Sequence, residues 1–244
     1  MPDIKTETVT YDAGGTTLES ALAYDASASG KRPGIVVFGE WWGLNDYLKG
    51  RATQLAELGY VALAADMYGG AKQAADAEEA GKLMKELFAD MGATSERIKA
   101  AIATLAARPE VDATRLGAMG YCLGGALALH AARLGLDLKG VASFHGSLGK
   151  THPATKGEIK AKVLVCHGAA DKFISDDELA GFKQEMRELG VDLEFKSYPG
   201  ALHGFTNPQA TRNGERFGLP LKYDANADRQ SWSDMQAFWQ RAFA

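Results

Sequence analysis

The sequence predicts an α/β fold: a mostly parallel sheet with helices on both faces, in a single domain spanning residues 1–244. Three observations carry this reading. Short apolar runs of β-forming residues, such as Ile35-Val36-Val37-Phe38 and Tyr60-Val61-Ala62-Leu63-Ala64-Ala65, lack polar alternation, as strands buried on both faces should. Segments with helically spaced apolar residues alternate with those runs, the pattern of a helix-covered parallel sheet. No internal repeat, low-complexity tract or linker divides the chain.

The elements follow in order. Thr6 to Tyr11 alternates, Gly14-Gly15 turns the chain, and Thr16 to Tyr24 alternates back, which predicts an N-terminal β-hairpin over 6–24. After the strand at Ile35–Phe38, Leu48 to Leu58 has helical spacing and stops at Gly59. The strand over 60–65 ends in a loop, Asp66-Met67-Tyr68-Gly69-Gly70. Ala71 to Leu105 reads as two helices broken near Met91-Gly92, the second capped by Thr94 or Ser95. Leu116–Met119 is a strand, Leu123–Leu134 a helix, and Lys139–Phe144 and Lys162–Cys166 are strands. Asp176–Leu189 is a helix closed by Gly190, and Val191–Tyr198 is the last strand. Residues 206–229 have no clear period and read as a lid or pocket loop. Trp232–Phe243 closes the chain as an amphipathic helix.

Composition narrows the function. Hydrophobic residues at 46% with 24% charged suit a packed core and exclude a disordered or fibrous chain. The charge sum, 27 − 31 = −4, gives no basic footprint, so neither nucleic acid nor a membrane surface is expected as a partner. No apolar run approaches the roughly 18 residues of a membrane span. The start of the chain lacks the basic-then-apolar pattern of a secretory signal, so a cytoplasmic location is expected. Two cysteines cannot form a disulfide framework. No His/Asp cluster has ligand spacing, so neither a metal nor another cofactor is expected. The expected partner is a small-molecule substrate, and the expected state a monomer or weak homodimer.

In sheets of this kind, ligands bind beyond the carboxyl ends of the strands. Gly120-Tyr121-Cys122-Leu123-Gly124-Gly125 lies between an apolar strand and an Ala/Leu helix. This is the Gly-x-nucleophile-x-Gly elbow with Cys in the nucleophile position. Its glycines let strand and helix approach, and the helix dipole at the turn favours a thiolate. A buried structural cysteine in a Gly-rich turn is the bland alternative.

A thiol nucleophile needs a base and a group that orients the base. Among His130, His145, His152, His167 and His203, the last is best placed, in a Gly-containing loop just past the final strand. Asp171 also follows a strand and can accept the Nδ1–H of His203. The order Cys122, Asp171, His203 is that of α/β-hydrolases. His145 ends another strand and is a candidate for lining the site, whereas His167 reads as structural. An oxyanion hole needs two N–H donors, and Leu123 and Trp41 are the candidates. Trp42, Tyr68, Phe173 and Phe205 supply aromatic surface for binding substrate, with core packing the alternative for Trp42.

These residues make the chain resemble the dienelactone hydrolase family. The matching pieces are Gly39-Glu40-x-x-Gly43-x-Asn45, Gly120-Tyr121-Cys122-Leu123-Gly124-Gly125, His167-Gly168-x-x-Asp171 and Gly200-x-x-His203-x-Phe205. The resemblance implies an α/β-hydrolase fold and a Cys122–His203–Asp171 triad. It also implies a role for Glu40, engaging the resting thiol and helping to activate it when substrate displaces the carboxylate. The family's dienelactone-cleaving members hold a substrate carboxylate with arginines. The corresponding stretches here, Gly204–Pro208 and Tyr68–Asp90, contain none. A neutral or aromatic ester or lactone is therefore the expected substrate, cleaved through a thioester. Activated phosphotriesters are an alternative for the same thiol. A ligand-binding protein on a hydrolase scaffold is an alternative of another class, and a redox pair of Cys122 with Cys166 a third.

Overall fold

The structure is a computed structural model and describes residues 2–244. Eight strands hydrogen-bond in the order β1-β2-β4-β3-β5-β6-β7-β8. The chain divides inside β5 (Val111–Tyr121) into two compact units, Met1–Met119 and Gly120–Ala244.

In the first unit, β1 (Ile4–Ala13) and β2 (Thr16–Asp25) form the antiparallel hairpin expected from the sequence. Gly14 and Gly15 both have positive φ, +57° and +74°, which a two-residue turn between twisted strands requires. β2 pairs antiparallel with β4 (Val61–Ala65), and β3 (Arg32–Phe38) pairs parallel with β4. Every residue of β4 is buried, which explains its unbroken apolar run. Helix α1 (Asp46–Glu57) begins where the Asn45 side chain accepts the Leu48 N–H, and it packs on β2 and β4.

Helices α2 (Ala77–Ala89) and α3 (Met91–Ala106) meet at Asp90, next to the break expected near Met91-Gly92. The cap of α3 is Asp90, whose carboxylate accepts the Ala93 N–H. Thr94 and Ser95, the caps expected from sequence, lie inside the helix. Their hydroxyls donate back to the carbonyls of Leu87 and Met91.

In the second unit, β6 (Gly140–Phe144), β7 (Lys162–Gly168) and β8 (Leu193–Tyr198) pair in parallel. Helix α4 (Leu123–Arg133) and the C-terminal helix cover opposite faces of β6. A Cβ at Gly140 would meet Trp239 and Phe238 of the C-terminal helix. Ser143, three residues on and therefore facing the other way, lies against Gly125 of α4. Helix α5 (Asp176–Leu189) ends at Gly190, as its sequence predicts, with φ +73°.

The lid or pocket loop expected over 206–229 is replaced by helical structure. Helix α6 (Ala210–Phe217) and the first residues of α7 (Ala225–Ala242) fill most of it. The connection between them is tied down. Lys222 N–H donates to the His203 carbonyl, and Asp224 N–H to that of Phe205. Asp224 then caps α7, two turns before the start the sequence suggested at Trp232. Among the described residues, no helix is long and apolar enough to cross a membrane.

Candidate active site

Strand β5 delivers the chain into a sharp bend at Cys122, which has φ +54° and ψ −116°, a sparsely populated conformation for a residue with a Cβ. The bend survives because its neighbours are glycines. A Cβ on Gly120 would lie 2.1 Å from the Gly124 carbonyl oxygen. One on Gly125 would lie 2.6 Å from Ser143 Oγ and 2.9 Å from Gly146 Cα. Strand, helix and the end of β6 thus meet at backbone distance. The bend leaves Cys122 partly exposed at the N-terminus of α4. There the first backbone N–H groups, beginning with Leu123, have no partner within the helix.

His203 follows β8, and its Nδ1 lies 2.8 Å from Asp171 Oδ2. The Asp171 side chain is wholly buried, and its Oδ1 accepts the Phe173 N–H at 2.9 Å. Both carboxylate oxygens are therefore committed, which fixes the direction in which the group points. Cys122 also acts electrostatically on His203. Burial alone would lower the His203 pKa. The influence of Cys122 and the hydrogen bond and charge of Asp171 outweigh burial, and the pKa is pushed up to about 10. Imidazole and carboxylate are joined, and the cationic form of the imidazole is stabilised, as an acceptor of a thiol proton needs.

Three further candidates lie in this unit, two of them, Phe173 and His145, against the His203 ring. Phe173 is 48% exposed and packs edge-on against His203, with ring centroids 4.9 Å apart. It offers exposed apolar surface beside that imidazole. Phe205 is fully buried, packed against Tyr198 and His145, so its ring is core rather than an open wall. His145 is also buried. Its Nδ1 faces the Cys122 N–H, and its Nε2 faces the Thr206 hydroxyl. It stands behind the bend as a support, not as pocket lining.

The remaining candidates lie in the first unit, at the ends of β3 and β4. Glu40 and Trp42 are buried and Trp41 is half-buried, the two indoles meeting edge-on at 5.1 Å. The Tyr68 hydroxyl donates to the Trp41 carbonyl at 2.9 Å, so this side chain holds the Trp41 peptide. Sequence reasoning missed the group behind it. Asp66 accepts four backbone N–H groups: Tyr68 and Gly69 on Oδ1, Glu19 and Ala71 on Oδ2. An Asp at a strand end before a Gly-rich loop was the available signal.

Cys166 is buried in β7 and receives the Tyr198 hydroxyl at 3.4 Å. Burial, foremost, pushes its thiol up to about 12, so it is neither nucleophilic nor readily oxidised near neutrality. His167 is buried beside Phe195, and burial lowers its pKa, which fits the structural role expected from sequence.

Comparison with known proteins gives concordant results. The model of the dienelactone hydrolase family matches residues 18–243. A Bradyrhizobium protein named "Probable 2-oxo-3-(5-oxofuran-2-ylidene)propanoate lactonase" is 33% identical over 215 residues, covering 82% of this chain and 86% of its own. Two solved structures are 38% identical and cover 99% of both chains. One, "m3DLH", has a TM-score of 0.92. The other, a dienelactone hydrolase-like promiscuous phosphotriesterase, P91, from metagenomic libraries, has a TM-score of 0.91.

Proposed function

This chain belongs to the dienelactone hydrolase family, and on that premise we propose that it hydrolyses activated esters or lactones through a thioester on Cys122. The observation that carries the reading is the His203–Asp171 hydrogen bond of 2.8 Å, with a cysteine on a strained strand-to-helix bend acting electrostatically on the same imidazole. The Cys122 sulfur attacks the carbonyl carbon, and the carbonyl oxygen becomes an oxyanion held by the Leu123 N–H at the start of α4. The tetrahedral intermediate collapses, the leaving oxygen takes the proton from His203, and an acyl thioester remains. Water then attacks the thioester carbon while His203 takes its proton, and the thiolate departs. Asp171 holds the imidazole in the tautomer that both halves need.

Leaving-group chemistry narrows the substrate. A thiolate leaves a tetrahedral intermediate more readily than a simple alkoxide, so unactivated alkyl esters revert. Enol lactones and aryl esters, whose leaving oxygens are stabilised, go forward. The stretches 68–90 and 204–208 hold no arginine, and Phe173 presents an exposed ring beside His203. Both favour a neutral, aromatic substrate over an anionic one. A second reading has one observation behind it: a 38% identical structure is that of a promiscuous phosphotriesterase. An activated phosphotriester would place its phosphoryl oxygen in the same hole.

The test is a panel of neutral aryl esters, anionic lactones and phosphotriesters, with burst kinetics and mass spectrometry. An acyl adduct on Cys122, and loss of turnover in Cys122→Ala with an unchanged circular dichroism spectrum, are expected. Near wild-type turnover in that variant would remove the mechanism.

A further inference from the structure

His145 has no part in the chemistry above, yet its conformation is unusual. It follows β6 with φ +40°, one of three residues other than glycine with positive φ among the described residues. Cys122 is another. Its own N–H donates to the Cys166 carbonyl at 2.8 Å, and its ring is turned back on the elbow. A residue held in the left-handed region persists only when its surroundings over-determine it. Here the ring supplies the determination.

The hydrogen bonds fix the proton. The Cys122 N–H lies 3.0 Å from the Phe144 carbonyl oxygen and 3.2 Å from His145 Nδ1. A backbone N–H can only donate, so Nδ1 must present its lone pair and the ring proton must sit on Nε2. Nε2 is 2.8 Å from Thr206 Oγ1, so Nε2–H donates to that hydroxyl. Thr206 is 1% exposed and follows His203 by three residues. One neutral imidazole therefore spans from the backbone of the cysteine to the loop that carries the histidine base.

Charge points the same way. The ring centroids of His145 and His203 are 5.2 Å apart. The second becomes an imidazolium when it takes the thiol proton, and a second cation at that distance would oppose the transfer. A doubly protonated His145 would also set an N–H against the Cys122 N–H.

We propose that His145 is a positioning residue, held as the neutral Nε2–H tautomer, which locks the Cys122 elbow to the His203 loop and so sets the sulfur-to-imidazole geometry. The proposal rests on the thioester reading for its effect on turnover, but not for the tautomer or the geometry. The Phe144 carbonyl already satisfies the Cys122 N–H, so the second acceptor acts on orientation.

The test uses the full chain and has a spectroscopic and a kinetic arm. In the first, the imidazoles are labelled with nitrogen-15 and the His145 resonances are identified by their loss in His145→Asn. The Nε2–H tautomer is expected at neutral pH, and an Nδ1–H or doubly protonated ring would overturn the proposal. In the second, alkylation of Cys122 by iodoacetamide and aryl-ester turnover are measured in His145→Asn, His145→Leu and Thr206→Val. Asn places an oxygen acceptor where Nδ1 lies and tolerates positive φ, so it should stay within about tenfold of wild type. Leu removes both bonds, and misplacement of the sulfur by about 1 Å should lower kcat roughly 100-fold with little change in KM. Thr206→Val should fall between them. If Asn is as slow as Leu in both alkylation and turnover, orientation through the acceptor is refuted. If Leu does not fold, the tautomer and the ranking of Asn above Thr206→Val decide the matter. If the tautomer and the alkylation series hold while no ester is turned over by wild type, the thioester reading fails and the role of His145 stands.

Discussion

Replacing Asp171 with Asn tests the candidate triad most directly, because the structure shows what an amide would have to do. Both carboxylate oxygens accept: Oδ2 from His203 Nδ1 at 2.8 Å and Oδ1 from the Phe173 N–H at 2.9 Å. An amide has one oxygen for these two donors. If it keeps Phe173, its NH2 donates to Nδ1 and drives the imidazole to the Nε2–H tautomer, whose nitrogen facing the sulfur cannot take a proton. If it keeps His203, the NH2 faces a buried N–H, which costs about 1–3 kcal/mol. Either way the negative charge is gone. Asp171 supplies two of the contributions that raise the His203 pKa from 6.5 to about 10. Each unit lost is about 1.4 kcal/mol of differential stabilisation, or tenfold. With the tautomer penalty, kcat/KM for an aryl ester should fall roughly 10³- to 10⁴-fold. The sign with pH follows. A histidine whose folded pKa is raised adds stability that is fully present below about 6.5 and lost as pH rises through about 10. In Asp171→Asn that loss should move to lower pH. Rates of ester cleavage, iodoacetamide alkylation against pH and thermal melts measure all three. Cys166, with its thiol near 12, serves as the unlabelled internal control. A variant that keeps its melting temperature and cleaves ester within tenfold of wild type would refute the reasoning.

Gly120→Ala should be strongly destabilising, because its Cβ meets the Gly124 carbonyl oxygen at 2.1 Å and neither backbone can yield. A loss of about 3 kcal/mol or more is expected, a fall of at least about 6 °C in Tm. Gly50→Ala is its control: nothing lies within 4 Å of the new Cβ in α1, so about 0.5–1 kcal/mol of stabilisation is expected. His130 should make the fold sensitive to acid. Burial, then His152 and Arg133, lower its pKa from 6.5 to about 4. The unfolded chain therefore gains a proton that the folded one refuses, and stability falls as pH drops through that window. The loss is on the order of 1–2 kcal/mol once solvent screening is allowed for, and urea titrations of His130→Asn should show a flatter acid limb.

The legible parts of this fold are those in which burial alone dictates residue type. β4 is buried at every position, and its limits read correctly to within a residue. β5 begins at Val111, five residues before its apolar stretch, because Asp112 to Arg115 are exposed or half-buried and carry no apolar pattern. The cap of α3 was misplaced because Asp90, Thr94 and Ser95 are all good cap residues within six positions, and only the geometry shows which side chain meets an N–H. Helix α6 was invisible because its buried face is Ala210 and Gly214, the latter pressed against the Leu221 carbonyl 2.5 Å from where a Cβ would lie. Small residues that permit close approach leave no hydrophobic period. At the candidate site, chain order and strand ends pointed to Cys122, Asp171 and His203. The support given by His145 and Tyr68 depends on ring orientation, which a sequence does not encode locally.

The Asp66 carboxylate separates two jobs that a surface excursion usually confuses. By gathering N–H groups from Glu19, Tyr68, Gly69 and Ala71, it closes the base of the excursion before Lys72 is reached. Beyond it, the Ala74 N–H ties the stretch back to the Trp42 carbonyl, and Asp76 and Asp90 cap the two helices that follow, while Tyr68 keeps its grip on the Trp41 peptide. A loop anchored in this way holds its shape whatever becomes of the exposed charges of Lys82 and Lys85 on α2.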